Sequence, residues 1–128
     1  MTVVTKRYFT LEEARRELPR IRKVMGDAIS LSHRMEEFCE ELQVLADKAV
    51  CNSGSPAGTV YLGHLLELQQ LIGRIQDRGC LVKSVQDGLV DFPHWKDGRE
   101  VYLCWRFDEE DISYYHEVEE GFRGRKPI

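Results

Sequence analysis

From Leu11 onward, apolar or small residues recur three and four positions apart: Leu11, Ala14, Leu18, Ile21, Met25, Ala28, Ser32, Met35, Cys39, Leu42, Ala46 and Ala49. That spacing keeps one stripe on one side of an α-helix, an a/d seam of about five heptads. Thr10-Leu11-Glu12-Glu13 opens it as a capping box, in which the Thr10 hydroxyl accepts from the Glu13 amide and the Glu13 carboxylate from the Thr10 amide. Pro19 clashes with the carbonyl one turn back, so a kink or break is expected near Glu17-Leu18, with a long piece from Pro19 to Val50, roughly 45 Å. Asn52-Ser53-Gly54-Ser55-Pro56 reads as a loop, with Ser55 as N-cap and Pro56 as first helical residue of a second helix. Tyr61, Leu65, Leu68, Ile72 and Ile75 form its seam, and Gly79 stands where a left-handed C-terminal glycine is expected. A short loop makes the helices antiparallel. The second is too short to cover the first seam, which leaves a sheet or another copy of the chain as cover; a homodimer is expected.

After Gly79 the period changes to two. Asp97-Gly98 lies between runs rich in β-branched and aromatic residues, a hairpin signal because both turn positions tolerate positive φ. This predicts Trp95 opposite Glu100, Phe92 opposite Leu103, Asp91 opposite Cys104 and Val90 opposite Trp105. Side chains alternate across a strand. One face then carries Val90, Phe92, Val101, Leu103 and Trp105 as core, and the other carries Leu89, Asp91, Pro93, Glu100, Tyr102, Cys104 and Arg106. A turn at Asp108–Asp111 followed by a strand from Ile112 to Val118 would put Ile112, Tyr114, His116 and Val118 on the core face, with Ser113, Tyr115 and Glu117 joining the mixed one. The rival is a helix opened by Asp108 as N-cap. Thr2 to Phe9 is β-prone enough to add a strand. The predicted fold is α+β, a long antiparallel helical hairpin (10–79) packed on a small antiparallel β-meander with a C-terminal tail (80–128), in a single domain.

Three constellations carry candidate chemistry. On the mixed face, Asp91, Glu100, Tyr102, Cys104, Arg106, Tyr115 and Glu117 form a set able to bind a polar ligand or hold a divalent cation. The plainer reading is cross-strand ion pairing, with Asp91 and Glu117 balancing Arg106. His116, facing the helices on this register, would ligate a transition metal with Glu12, Glu13 or His64, or else bond a helix carbonyl or those glutamates as a core histidine. In the tail, Arg123 and Arg125 among glycines offer guanidinium forks to an anion, unless Phe122 and Ile128 anchor it and Arg125 bonds carbonyls. Cys104 lacks a base as a nucleophile, since His116 faces away. The basic face Arg15, Arg16, Arg20, Arg22 and Lys23 reads as solvated.

The segments GLVDFP (88–93), GREVYLCWR (98–106), YHE (115–117), GFRGRKP (121–127) and RYFTLEEARRELPR (7–20) resemble the domain of unknown function 2203 family of small prokaryotic proteins. Asp108 stands where a turn glycine is usual there, and Tyr115 where tryptophan is usual before the histidine. The resemblance implies the fold class and leaves activity open.

Composition narrows the function classes. A net charge of −4 over 128 residues disfavours bulk binding to nucleic acid, which needs many phosphate-neutralising cations. The cysteines (39, 51, 80, 104) show no paired spacing, so reduced thiols in the cytoplasm are expected, and no stretch is apolar enough to span a membrane. The leading expectation is a cytosolic binding or regulatory module that engages a small anion or a protein partner. The alternative is a small metal-dependent enzyme using His116, Asp91, Glu100 or Glu117.

Overall fold

The computed structural model describes residues 6–48 and 56–128. Helix α1 spans Leu11–Lys48 and α2 spans Pro56–Gln76, followed by β1 (Leu81–Ser84), β2 (Leu89–Lys96), β3 (Arg99–Arg106), β4 (Tyr114–Glu117), a 3-10 turn at Phe122–Gly124 and β5 (Lys126–Pro127). The five strands form one antiparallel sheet in sequence order, a meander. The two helices pack on each other, and α1 lies on one face of the sheet. This is the α+β arrangement expected.

The capping box forms on both sides: the Glu13 amide donates to Thr10 Oγ1 at 3.1 Å, and the Thr10 amide to Glu13 Oε1 at 3.2 Å. Thr10→Ala should cost about 1 kcal/mol, read as a lowered denaturation midpoint with an unchanged slope. The break expected at Glu17-Leu18 is absent, because α1 runs unbroken through Pro19. The lost bond and ring clash are outweighed by the packing of the flanking turns, whose Ala14, Leu18, Ile21 and Met25 are buried; tertiary burial overrides a local penalty of about 3 kcal/mol. Farther along, the seam reaches the surface: Met35 is buried but Cys39 is exposed. The side chains of Leu42 and Ala46, together with Ala49, Ser55 and Cys51, lie outside the described residues. In α2 only Ile75 of the seam is buried, and Leu68 packs half-buried against the core. Gly79 adopts φ +96° and closes the helix. No strand forms in residues 6–9; instead the Phe9 amide donates to the Pro93 carbonyl at 2.7 Å, and the Phe9 ring is buried edge-on against Phe92. Residues 2–5 of the expected strand are outside the described residues.

The β2–β3 hairpin has the predicted register at every pair, with Asp97 and Gly98 both at positive φ. Val90, Phe92, Val101, Leu103 and Trp105 face α1 and are buried. The next strand differs. Leu103 pairs with Tyr115 and Tyr102 with His116, one residue out of the expected register. A one-residue slip exchanges the faces of a whole strand. His116 and Tyr114 therefore lie on the mixed face, whereas Tyr115 and Glu117 lie on the side of the helices.

The cause is in residues 107–113. Glu109 N–H bonds the Arg106 carbonyl, Trp105 Nε1 donates to the Glu109 carbonyl at 3.0 Å, and Ile112 is buried before the strand begins. From α1, Arg22 donates to the Glu109 and Glu110 carbonyls at 3.0 and 2.6 Å, and Arg15 to the Ile112 carbonyl at 2.9 Å. Arg16, Arg20 and Lys23 are exposed as expected, but Arg22 is half-buried, and it and the exposed Arg15 do more than face solvent. Those two satisfy carbonyls that a tight turn would have paired internally.

Candidate metal centre

Neighbouring strands β2, β3 and β4 each contribute one side chain to a buried cluster on the face away from the helices. Asp91, Cys104 and His116 are the three, and one ligand atom from each lies within 4.8 Å of the other two. Asp91 is 1% exposed and His116 3%. Their placement follows from the register: Asp91 pairs with Cys104, and Cys104 is one residue beyond the Leu103–Tyr115 pair.

The bonding fixes the imidazole. His116 Nδ1 lies 2.8 Å from the Glu117 carbonyl, which can only accept, so Nδ1 carries hydrogen. Nε2 is then turned toward Asp91 Oδ2 at 3.0 Å, and a proton must lie between them for the bond to form. Tyr102 braces the ring edge-on, with centroids 5.6 Å apart. Burial pushes the Asp91 carboxyl above its ordinary value, partly opposed by His116 and by the Cys104 thiol. Burial, and then the Asp91 charge, push the Cys104 thiol up to about 12. Cys104 is accordingly a protonated thiol, and both nitrogens of His116 are already engaged, so no base activates it as a nucleophile.

Above the cluster lies a cavity of about 150 Å³, bounded by Lys83, Leu89, Val118, Glu120, Gly121 and Phe122. The residues after β4 fold back to form part of its wall. Arg125 locks that segment: its guanidinium bonds Glu109 at 2.6 Å and the Cys104 carbonyl at 3.2 Å, and stacks on Tyr114 and Phe122 at 4.2 and 4.5 Å.

The other predicted residues are apart from this centre. Arg106 does not balance Asp91 or Glu117; it forms a two-pronged pair with Asp108 at 2.6 and 2.8 Å, which holds that carboxyl below its usual range. Glu117 takes a fork from Arg99 on the helix side of the sheet, likewise lowering its pKa. Glu100 pairs with Lys6. Tyr115 has the Lys96 ammonium 5.0 Å from its ring centre. Glu13 is used in the α1 cap, Glu12 sits in the first turn of α1, and His64 packs beside Phe38 on the helical hairpin. Among the described residues none of these three joins His116 in a metal-ligating group; the reversed face of β4 took His116 away from them. Arg125 is a structural tie, Arg123 is exposed, and Ile128 is exposed rather than an anchor, though its amide bonds the Ser113 carbonyl.

Sequence reasoning placed Asp91 and Cys104 correctly and put His116 on the wrong side. Arg15 and Arg22, one α-helical face of cations opposite a turn of free carbonyls, were the missed sign of a longer connection.

A family model described as "Uncharacterized conserved protein (DUF2203)" matches residues 7–128. No curated protein and no solved structure matches the chain.

Proposed function

The chain belongs to the DUF2203 family of uncharacterised proteins, and from that starting point we propose that it is a metal-dependent module whose centre is Asp91, Cys104 and His116. One observation carries the reading: a carboxylate, a thiol and an imidazole from three adjacent strands converge within 4.8 Å beneath a cavity. A mixed oxygen, sulfur and nitrogen set suits Zn²⁺ or a neighbouring transition ion, and three protein ligands leave a fourth position open. The Nδ1–H bond to the Glu117 carbonyl is the outer contact that aims Nε2 of a ligating histidine. Charge also favours it. Replacing the shared Asp91–His116 proton and the thiol proton by M²⁺ leaves the buried site neutral, so no uncompensated charge is created.

This reading departs from the leading expectation, a module that engages a small anion through its arginines, because Arg106 and Arg125 are already paired with carboxylates. The proposal keeps the protein in the cytosol, where a thiol ligand stays reduced; no helix among the described residues is long and apolar enough to cross a membrane. It also keeps the homodimer expected from the long seam, with exposed Val60, Leu62 and Leu66 on α2 as apolar surface for a second copy.

Titration with Co²⁺ tests the reading. One equivalent should bind with a sulfur-to-metal charge-transfer band that Cys104→Ser abolishes and Cys39→Ser leaves intact. Burial raises the Asp91 carboxyl and pushes the Cys104 thiol up to about 12, so the thiol proton at least must leave as the ion enters. Apparent affinity should therefore rise with pH through the neutral range, by roughly tenfold per unit for each proton displaced. Absence of a thiolate band, or affinity independent of pH, would reject the centre.

A further inference from the structure

The pairing of β1 with β2 is broken between Val82 and Ser84 by a bulge. Bulges re-aim the residue they set free. Here that residue is Lys83, which lines the cavity above Asp91, Cys104 and His116 and holds its ammonium 5.2 Å from the centre of the Tyr102 ring. A second ammonium, that of Lys6, stands 5.5 Å from the same ring, but it is tied to Glu100. Among the described residues no carboxylate lies within 4 Å of the Lys83 nitrogen. An unpaired cation is thus kept at the mouth of a cavity whose floor, once Asp91 and Cys104 ionise around M²⁺, is neutral.

Resting on the metal reading above, we propose that the open coordination position takes a small oxyanion, and that Lys83 is the residue that selects it. Metal and ammonium would hold the ligand between them, one oxygen on each, in the way bridging charge-assisted contacts fix carboxylates and phosphates. Size suits a small ligand: a cavity of about 150 Å³ has room for a group as small as acetate or phosphate. Leu89, Val118 and Phe122 supply apolar walls that accept a short alkyl group and exclude bulk water. Glu120 also borders the cavity, at its exposed rim and against Gly124. It repels anions from outside, and it raises the contribution required of Lys83.

Co²⁺-loaded protein, titrated with acetate and with inorganic phosphate at constant ionic strength, reports on this position through its visible ligand-field bands. At least one of the two anions should shift those bands saturably. Lys83→Met should weaken that binding by roughly tenfold, the worth of one charge-assisted hydrogen bond, while Co²⁺ affinity and the thiolate band stay within a factor of about three. Glu120→Gln should tighten it. Bands that neither anion moves, or equal anion affinity in Lys83→Met, would overturn the oxyanion proposal and leave the metal centre standing. Lack of any thiolate band in the unsubstituted protein would remove the metal centre and this proposal together. Lys83 is exposed, so the variant is expected to fold, which far-UV circular dichroism checks.

Discussion

Replacing Trp105 by alanine is expected to lower the stability of the protein by roughly 3–5 kcal/mol. The indole is 0% exposed and is the largest of the fully buried side chains. It sits where β3 meets α1, with Phe107 edge-on at 6.1 Å and the Arg22 guanidinium 5.7 Å from its centre. Truncation would leave a cavity and would also remove one of the two donors to the Glu109 carbonyl, leaving it only the Arg22 guanidinium. That carbonyl belongs to the 107–113 connection, so the damage should spread to the register of β4. Trp105→Phe, which refills most of the space but not the bond, should cost less than half as much. Urea denaturation followed by circular dichroism measures both. A loss below about 1 kcal/mol for the alanine variant would place the ring outside the core.

Gly88→Ala should produce the second large effect. Gly88 precedes β2 at φ +68°, a conformation that costs an ordinary residue roughly 1–2 kcal/mol. A Cβ there would stand 2.6 Å from Cβ of Phe107 and 3.4 Å from the Ile29 side chain. Phe107 cannot retreat, because its amide donates to the Gly88 carbonyl at 2.9 Å. Overpacking of this kind adds about 1–3 kcal/mol, for a total of roughly 2–5 kcal/mol. Gly98→Ala is the control. Its φ is +77° but nothing lies within 4 Å of the added carbon, so only the backbone penalty of about 1–2 kcal/mol should appear. Equal losses at the two glycines would show that the Phe107 contact yields.

What the sequence disclosed depended on whether the deciding forces were local. Asp97-Gly98 sets the β2–β3 register by turn chemistry alone, so every cross-strand pair there could be written down in advance. The α1 cap is equally local, a matter of Thr10 and Glu13. Helix α1 continuing through Pro19 is a different case: the proline penalty is visible in the chain, but the compensating burial of Leu18 and Ile21 against the sheet is not. The register of β4 belongs with it. Two acidic residues, Glu109 and Glu110, look like the tip of a tight turn, yet Arg15 and Arg22, from nearly a hundred residues earlier, hold that segment open. The candidate site failed at the same point. Asp91 and Cys104 were recognised as partners across β2 and β3, and the histidine that completes the group was assigned to the opposite face because its strand was misaligned by one residue.

The length of the 107–113 connection therefore fixes the chemical hardness of the outer face. With one residue more or fewer, His116 would swing toward α1, and Tyr115 and Glu117 would come up beside Asp91 and Cys104. The imidazole donor would be exchanged for carboxylate and phenol oxygens, a set better matched to Mg²⁺ or Ca²⁺ than to Zn²⁺. Under the proposed metal centre, an insertion or deletion in that surface segment that carried through to the register of β4 would act as a change of ion preference, made without substituting any ligand residue.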